Sequence, residues 1–203
     1  ASARVAEATG YAVVPPTVLR EGPQGRGSVQ LWIGDPFGPD PGQGPVRLVP
    51  PGPLPAGVLA VIDGQLGDGT QVTVVHEDRD DVRDAAVLDA LLNNADRKGS
   101  HLVRDAHGAL WGFDHGLTLH AEPKLRTVLW GWAGRPLRRS DLDRLTALAG
   151  RLADPGDPLT VELADLLPAG DLAALGARAR TLAAGGIHPR PGRGWPSIPW
   201  PAL

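Results

Sequence analysis

The chain has 203 residues, 42% of them apolar, with a formal net charge of −3 and no cysteine. That length supports one large domain or two small ones. The composition excludes disulfides, thiolate nucleophiles and cysteine-based zinc sites, and the charge excludes the concentrated basic surface that nucleic-acid binding requires.

The chain has 27 Gly and 21 Pro, densest at 34–57 and 185–201. No run of 18 apolar residues occurs, so no membrane-spanning helix is expected. The start, Ala1-Ser2-Ala3-Arg4, lacks the apolar centre of a signal peptide. There is no initiator Met, so either it was removed or the chain begins inside a longer protein. The lack of cysteine fits a reducing, cytoplasmic setting.

In chain order, residues 2–9 read as a helix end stopped by Gly10. Tyr11 to Leu19 carries Val13, Val14 and Val18 around a Pro15-Pro16 break, which suggests a strand that is interrupted or lies at a sheet edge. Gly27 to Ile33 reads as its hairpin partner. The Pro and Gly density of 34–57 predicts a long loop without regular structure. Val58 to Ile62 and Gln71 to Val75 read as two strands around Gly67-Asp68-Gly69. Asp80 or Asp81 caps a helix in which Val82, Ala85, Ala86, Leu88, Leu91 and Leu92 share helical spacing.

That helix ends at Asn93-Asn94. His101 to Val103 and Leu110 to Phe113 form a short hairpin, and 114–126 is irregular. Helices follow at 140–152, 160–167 and 169–184, with leucine faces that read as core, and a Pro- and Trp-rich strap closes the chain. The predicted class is α+β with segregated elements. Trp130 and Trp132 read as core, and Trp195 and Trp200 as residues docking the strap.

The densest chemistry lies in Asn93-Asn94-Ala95-Asp96-Arg97-Lys98-Gly99-Ser100-His101 and in Asp114-His115-Gly116. A hairpin joins the two runs and brings its ends together. Asp96, Lys98, His101 and Asp114 are therefore expected to be neighbours. Lys98 is conspicuous because the chain has only one other lysine, Lys124. Two carboxylates and an ammonium are the groups that phosphoryl transfer uses: one carboxylate orients the acceptor hydroxyl, one holds a divalent cation, and the ammonium offsets phosphate charge. Each run also reads as an ordinary turn with an aspartate bonded to its own backbone. The six histidines show no helical i, i+4 metal-ligand pair enclosing a glutamate. His115 and His120 read as surface or supporting residues.

Asp96-Arg97-Lys98-Gly99-Ser100-His101 followed by Phe113-Asp114-His115-Gly116 resembles the catalytic and metal-binding loops of the phosphatidylinositol 3-/4-kinase-like superfamily, part of the protein-kinase-like fold. An actinobacterial branch of that superfamily looks most similar, through Leu91 to Gly99, His115 to Thr118 and Glu122 to Trp130. Val14 to Val18 and Ile198 to Pro201 look like the same branch. The resemblance implies a kinase-like large lobe over 34–203, preceded at 1–33 by the end of the small lobe and its hinge strand. It implies ATP with Mg2+ or Mn2+ as cofactors. Asp96 takes the catalytic aspartate's place, Lys98 a phosphate-contacting lysine's, and Asp114 the metal-binding aspartate's. Gln30, Leu31, Trp32 and Ile33 lead into the hinge that meets adenine, with backbone contacts and Trp32 or Ile33 as an apolar wall. Lys124 and Arg126 lie where kinases keep the activation or substrate-recognition segment, and their other reading is a solvated loop with a salt bridge.

Two departures stand out. His101 occupies the place of a metal-binding asparagine, and it reads equally as a ligand for a softer cation such as manganese and as a structural residue. The glycine-rich strand pair and strand lysine of the small lobe are not found before Tyr11. The expected function is an ATP-dependent phosphotransferase whose acceptor is a protein, a lipid or a small molecule. The alternatives are a pseudokinase or nucleotide-binding interaction module, and a plain structural domain.

Overall fold

The computed structural model describes residues 1–33, 44–192 and 196–203. Parts of the Pro/Gly-rich loop, and Trp195, lie outside the described residues. Helix α1 (Ser2–Thr9) stops at Gly10, whose φ of 70° supplies the left-handed turn a helix end favours. Strands β1 (Thr17–Gly22) and β2 (Gly25–Gln30) form an antiparallel hairpin with Val18 opposite Val29. The hairpin starts after Pro15-Pro16 and ends at Gln30, short of Ile33. Leu31 and Trp32 beyond it are 56% and 70% exposed.

The region 34–57 is not wholly irregular. It contains β3 (Val46–Val49), which pairs with β5 (Gln71–Glu77); β5 also pairs with β4 (Val58–Gln65), giving the antiparallel order β3-β5-β4. Pro45 and Pro50 flank β3 instead of interrupting it, and β3 is an edge strand, where proline costs no ladder hydrogen bond. The Pro45 carbonyl even accepts from the Glu77 N–H.

Helix α2 (Asp80–Leu92) follows. Neither acidic residue caps it from outside: Arg79 holds the cap position, and Asp81 instead accepts from the Val82 N–H at 2.8 Å. Strands β6 (Leu102–Arg104) and β7 (Leu110–Gly112) make the predicted second hairpin. Helices α3 (Arg139–Ala153), α4 (Pro158–Ala164) and α5 (Ala169–Gly185) follow, so the molecule is mixed α+β, with three small sheets and five α-helices among the described residues. Among the described residues no helix is long and apolar enough to cross a membrane.

Beside a small cluster of Val49, Val58 and Val75 in the three-stranded sheet, a main core joins the helices, β3, β5 and the β6–β7 hairpin. It draws Val5 and Ala6 from α1, Val82, Leu88, Leu91 and Leu92 from α2, Leu145 and Leu148 from α3, and Leu175 and Ala179 from α5. Tyr11 and Val13 lie in the same core, so the chain's start is packed into the helical body. Helix α2 is buried nearly all round in its second half, including the carboxylate of Asp89. Trp132 is buried as predicted, stacked near His76 and His188, and its indole N–H donates to Asp78 at 3.0 Å.

His188 is buried, accepts from Arg83 Nε at 3.1 Å, and has its pKa lowered to about 4, by burial first and by Arg83 second. Burial also lowers His76. A folded-state pKa below the unfolded value near 6.5 gives stability that is present above pH 6.5 and lost as pH falls toward 4. His188 alone should then cost up to about 3 kcal/mol between pH 6.5 and 4. Urea denaturation across that range should show falling stability, and His188→Gln should flatten part of the slope; an unchanged slope in the variant refutes the assignment.

Candidate functional site

The site is organised by Arg97, which is 2% exposed, and Asp89, which is 0% exposed. Arg97 Nε donates to both oxygens of Asp89 at 3.1 Å. Its Nη1 donates to the Phe113 carbonyl at 2.7 Å, and its Nη2 to His115 Nε2 at 2.9 Å. A guanidinium only donates, so His115 Nε2 is the acceptor and Nδ1 carries the proton. Burial, then Arg97, lowers the His115 pKa to about 4, which keeps the ring neutral. Asp89 also accepts from Asn94 Nδ2 at 2.9 Å and Thr127 Oγ1 at 3.3 Å.

The backbone repeats this connection. Arg97 N–H donates to the Arg126 carbonyl, and the Val128 N–H donates to the Arg97 carbonyl. The turn after α2, the end of β7 and the strand-like segment at 126–128 are thus one unit. Asp114, between the two Arg97-bonded residues, has φ 50°. That left-handed conformation is tolerated by aspartate better than by most residues.

With Arg97 turned inward in extended backbone, its neighbours turn outward. Asp96 and Lys98 emerge together, and Lys98 Nζ lies 3.2 Å from Asp96 Oδ2. Across the hairpin, His101 Nε2 lies 3.7 Å from Asp114 Oδ2. That gap is too long for a hydrogen bond. His101 Nδ1 is buried without a partner. Burial, then Arg97, lowers the His101 pKa, with Asp114 and Asp96 opposing. The structure therefore brings the four expected residues together as two pairs, Asp96 with Lys98 and His101 with Asp114.

The other predicted positions are not part of this cluster. Gln30 is exposed and donates to Thr17 Oγ1 at 3.0 Å, and the Leu31 N–H donates to the Pro16 carbonyl. Trp32 and Ile33 follow beyond the hairpin. Lys124 Nζ pairs with Glu122 at 3.0 Å, the solvated-loop alternative, while its N–H is held by Asn93 Oδ1. Arg126 turns to the strap, with Nη2 3.5 Å from the Ile198 carbonyl. His115 is no surface residue, since it belongs to the Arg97 knot. Trp200 does not dock the strap: it is 84% exposed.

Sequence reasoning missed Asp89 and Arg97. The available signal was a carboxylate inside an apolar helix face, Val87-Leu88-Asp89-Ala90-Leu91, which needs a buried partner.

Breaking a buried pair from one side leaves an uncompensated charge and costs about 3–5 kcal/mol. Arg97→Met and Asp89→Asn should each show a loss of about that size in urea denaturation. The double variant should lose less than the sum of the two singles. Additive losses would refute a direct pairing.

No protein-family model matches the chain, and no solved structure matches it. Protein Rv2133c of Mycobacterium tuberculosis (strain ATCC 25618 / H37Rv) is 43% identical over 199 residues, covering 96% of this chain and 70% of that protein. An identity of that level over nearly the whole chain establishes common descent. The chain belongs to the family of Protein Rv2133c.

Proposed function

We propose that the chain is the large lobe of a kinase-like, ATP-dependent phosphotransferase, with the end of a small lobe at 1–33. The reading is carried by one observation: the two ends of the β6–β7 hairpin bring His101 within 3.7 Å of Asp114, beside the Asp96–Lys98 pair. In this reading Asp96 orients the acceptor hydroxyl and takes its proton as the oxygen attacks the γ-phosphorus of ATP. The bond to the β-phosphate oxygen breaks, and ADP leaves. Lys98 lies against the transferred phosphoryl group and offsets its charge.

A divalent cation bound here neutralises charge between the phosphates. The donor set fits one. Asp114 is an oxygen donor, His101 supplies nitrogen, and neither is tied up by a partner across the 3.7 Å gap. No group of three or more His, Asp or Glu side chains among the described residues is arranged to hold a metal alone. A pair of protein ligands is what a site has when nucleotide phosphates complete the coordination. Imidazole favours manganese over magnesium. Gln30 to Ile33 form the approach to adenine, next to the exposed apolar side chains Val18, Leu19 and Val29 of the first hairpin. The acceptor is a protein, lipid or small molecule, and the cytoplasm supplies the ATP.

A nucleotide-binding module without transfer is the second reading. The Asp96–Lys98 pair favours it, because a carboxylate already engaged by an ammonium at 3.2 Å is not free to meet an acceptor hydroxyl.

A thermal-shift titration with ATP plus Mn2+ separates both readings from a plain scaffold; saturation at a hundred times Kd stabilises by about 2.7 kcal/mol. Transfer of labelled γ-phosphate should fall about 100- to 10,000-fold in Asp96→Ala. It should persist in Arg139→Ala, whose side chain is 87% exposed. Asp114→Ala should lose the metal-dependent shift. Binding without any transfer by the unchanged protein selects the second reading, and no binding at all rejects both.

A further inference from the structure

We propose that Ser197–Leu203 is a positioning strap that holds the Asp96–His101 loop in the geometry needed for nucleotide and cation; this rests on the phosphotransferase reading. The Gly99 N–H donates to the Ala202 carbonyl at 2.8 Å. Gly99 sits between Lys98 and His101 and opens the short 3-10 turn Gly99–His101. A Cβ on Gly99 would lie 2.5 Å from Leu203 Cδ2 and 3.1 Å from Val46 Cβ. Gly99 is not among the glycines with positive φ. A side chain there would have to push Leu203 and Val46 aside, so glycine lets the strap approach the loop closely.

The strap grips the other side of the same unit. The Ser197 carbonyl accepts from the Thr127 N–H at 3.1 Å and from the Trp130 indole N–H at 2.9 Å. Residues 126–128 are in turn bonded to the Arg97 backbone. Lys98 thus lies between two backbone attachments, Arg97 to 126–128 and Gly99 to Ala202. Both lead to one strap. Its most conspicuous side chain, Trp200, is left 84% exposed. Attachment depends on a few carbonyls and on Ile198, Ala202 and Leu203, which pack against the edge of the main core. Such a segment can release without dismantling the helices, and its release frees the loop at Gly99.

Amide hydrogen exchange on the full chain tests this. Leu203→Asp removes one apolar anchor, and Gly99→Ala displaces the strap from the loop side. Trp200→Ser, on the same strap but without a contact to lose, is the control. In both test variants Gly99 exchange should rise at least about ten-fold, while Leu91 and Leu175 in the core exchange as before. Affinity for ATP with manganese should weaken at least about five-fold in the same variants and hold in Trp200→Ser. The proposal is overturned if Gly99 exchange is unchanged, if it rises only in step with the core, or if it rises while ATP affinity stays the same. If the unchanged protein binds no ATP with manganese, the phosphotransferase reading falls, and Gly99 exchange still decides whether the strap holds the loop.

Discussion

The pairing of Asp89 with Arg97 is the constraint on which the candidate site depends. Taking a carboxylate and a guanidinium out of water costs several kcal/mol per ion, and attraction alone repays it only with good geometry and few unmet hydrogen bonds. Here the guanidinium reaches Asp89, the Phe113 carbonyl and His115, while Asp89 adds Asn94 and Thr127. The pair is costly to bury, but it fixes four chain segments to one another. An apolar cluster of the same volume would hold them together without fixing their register.

That register has a chemical consequence. Arg97 faces inward, so Asp96 and Lys98 face outward on one side of the backbone. Arg97 also grips the residues on either side of Asp114, which holds that carboxylate in its left-handed conformation opposite His101. The outward-facing charges are therefore placed by an inward-facing one. The charge of Arg97 is balanced by Asp89, so the cleft itself contains Asp96, Lys98 and Asp114.

What was legible in the sequence follows from locality. The hairpins and the α2 and α3 helices announce themselves through spacing and turn residues within a dozen positions. The approach of residues 101 and 114 was legible because a hairpin is a local device that closes its own ends. Strand β3 was hidden because its four residues lie between prolines, and only pairing with β5, some 25 residues away in sequence, gives them a partner. The strap was misread at Trp200 because its attachment uses the backbone carbonyls of Ser197 and Ala202, which have no side-chain signature. Lys124 was ambiguous for a different reason: a surface lysine next to a glutamate fits a substrate contact and a salt bridge equally well until the 3.0 Å pairing is seen.

On the phosphotransferase reading, the charge inventory also explains why cation and nucleotide must arrive together. Two carboxylates and one ammonium leave the cleft negative, so a bare polyphosphate meets repulsion that one lysine does not cancel. A divalent cation held by Asp114 and His101 would reverse the local sign and so favour the phosphates. The Asp96–Lys98 pair then becomes a resting arrangement, because an arriving phosphoryl group competes for Lys98 and leaves Asp96 free to face an acceptor. Placing Asp96 and Lys98 two residues apart in a pinned, extended turn allows that exchange of partners with little backbone movement, which is the advantage of building the site around a rigid Arg97.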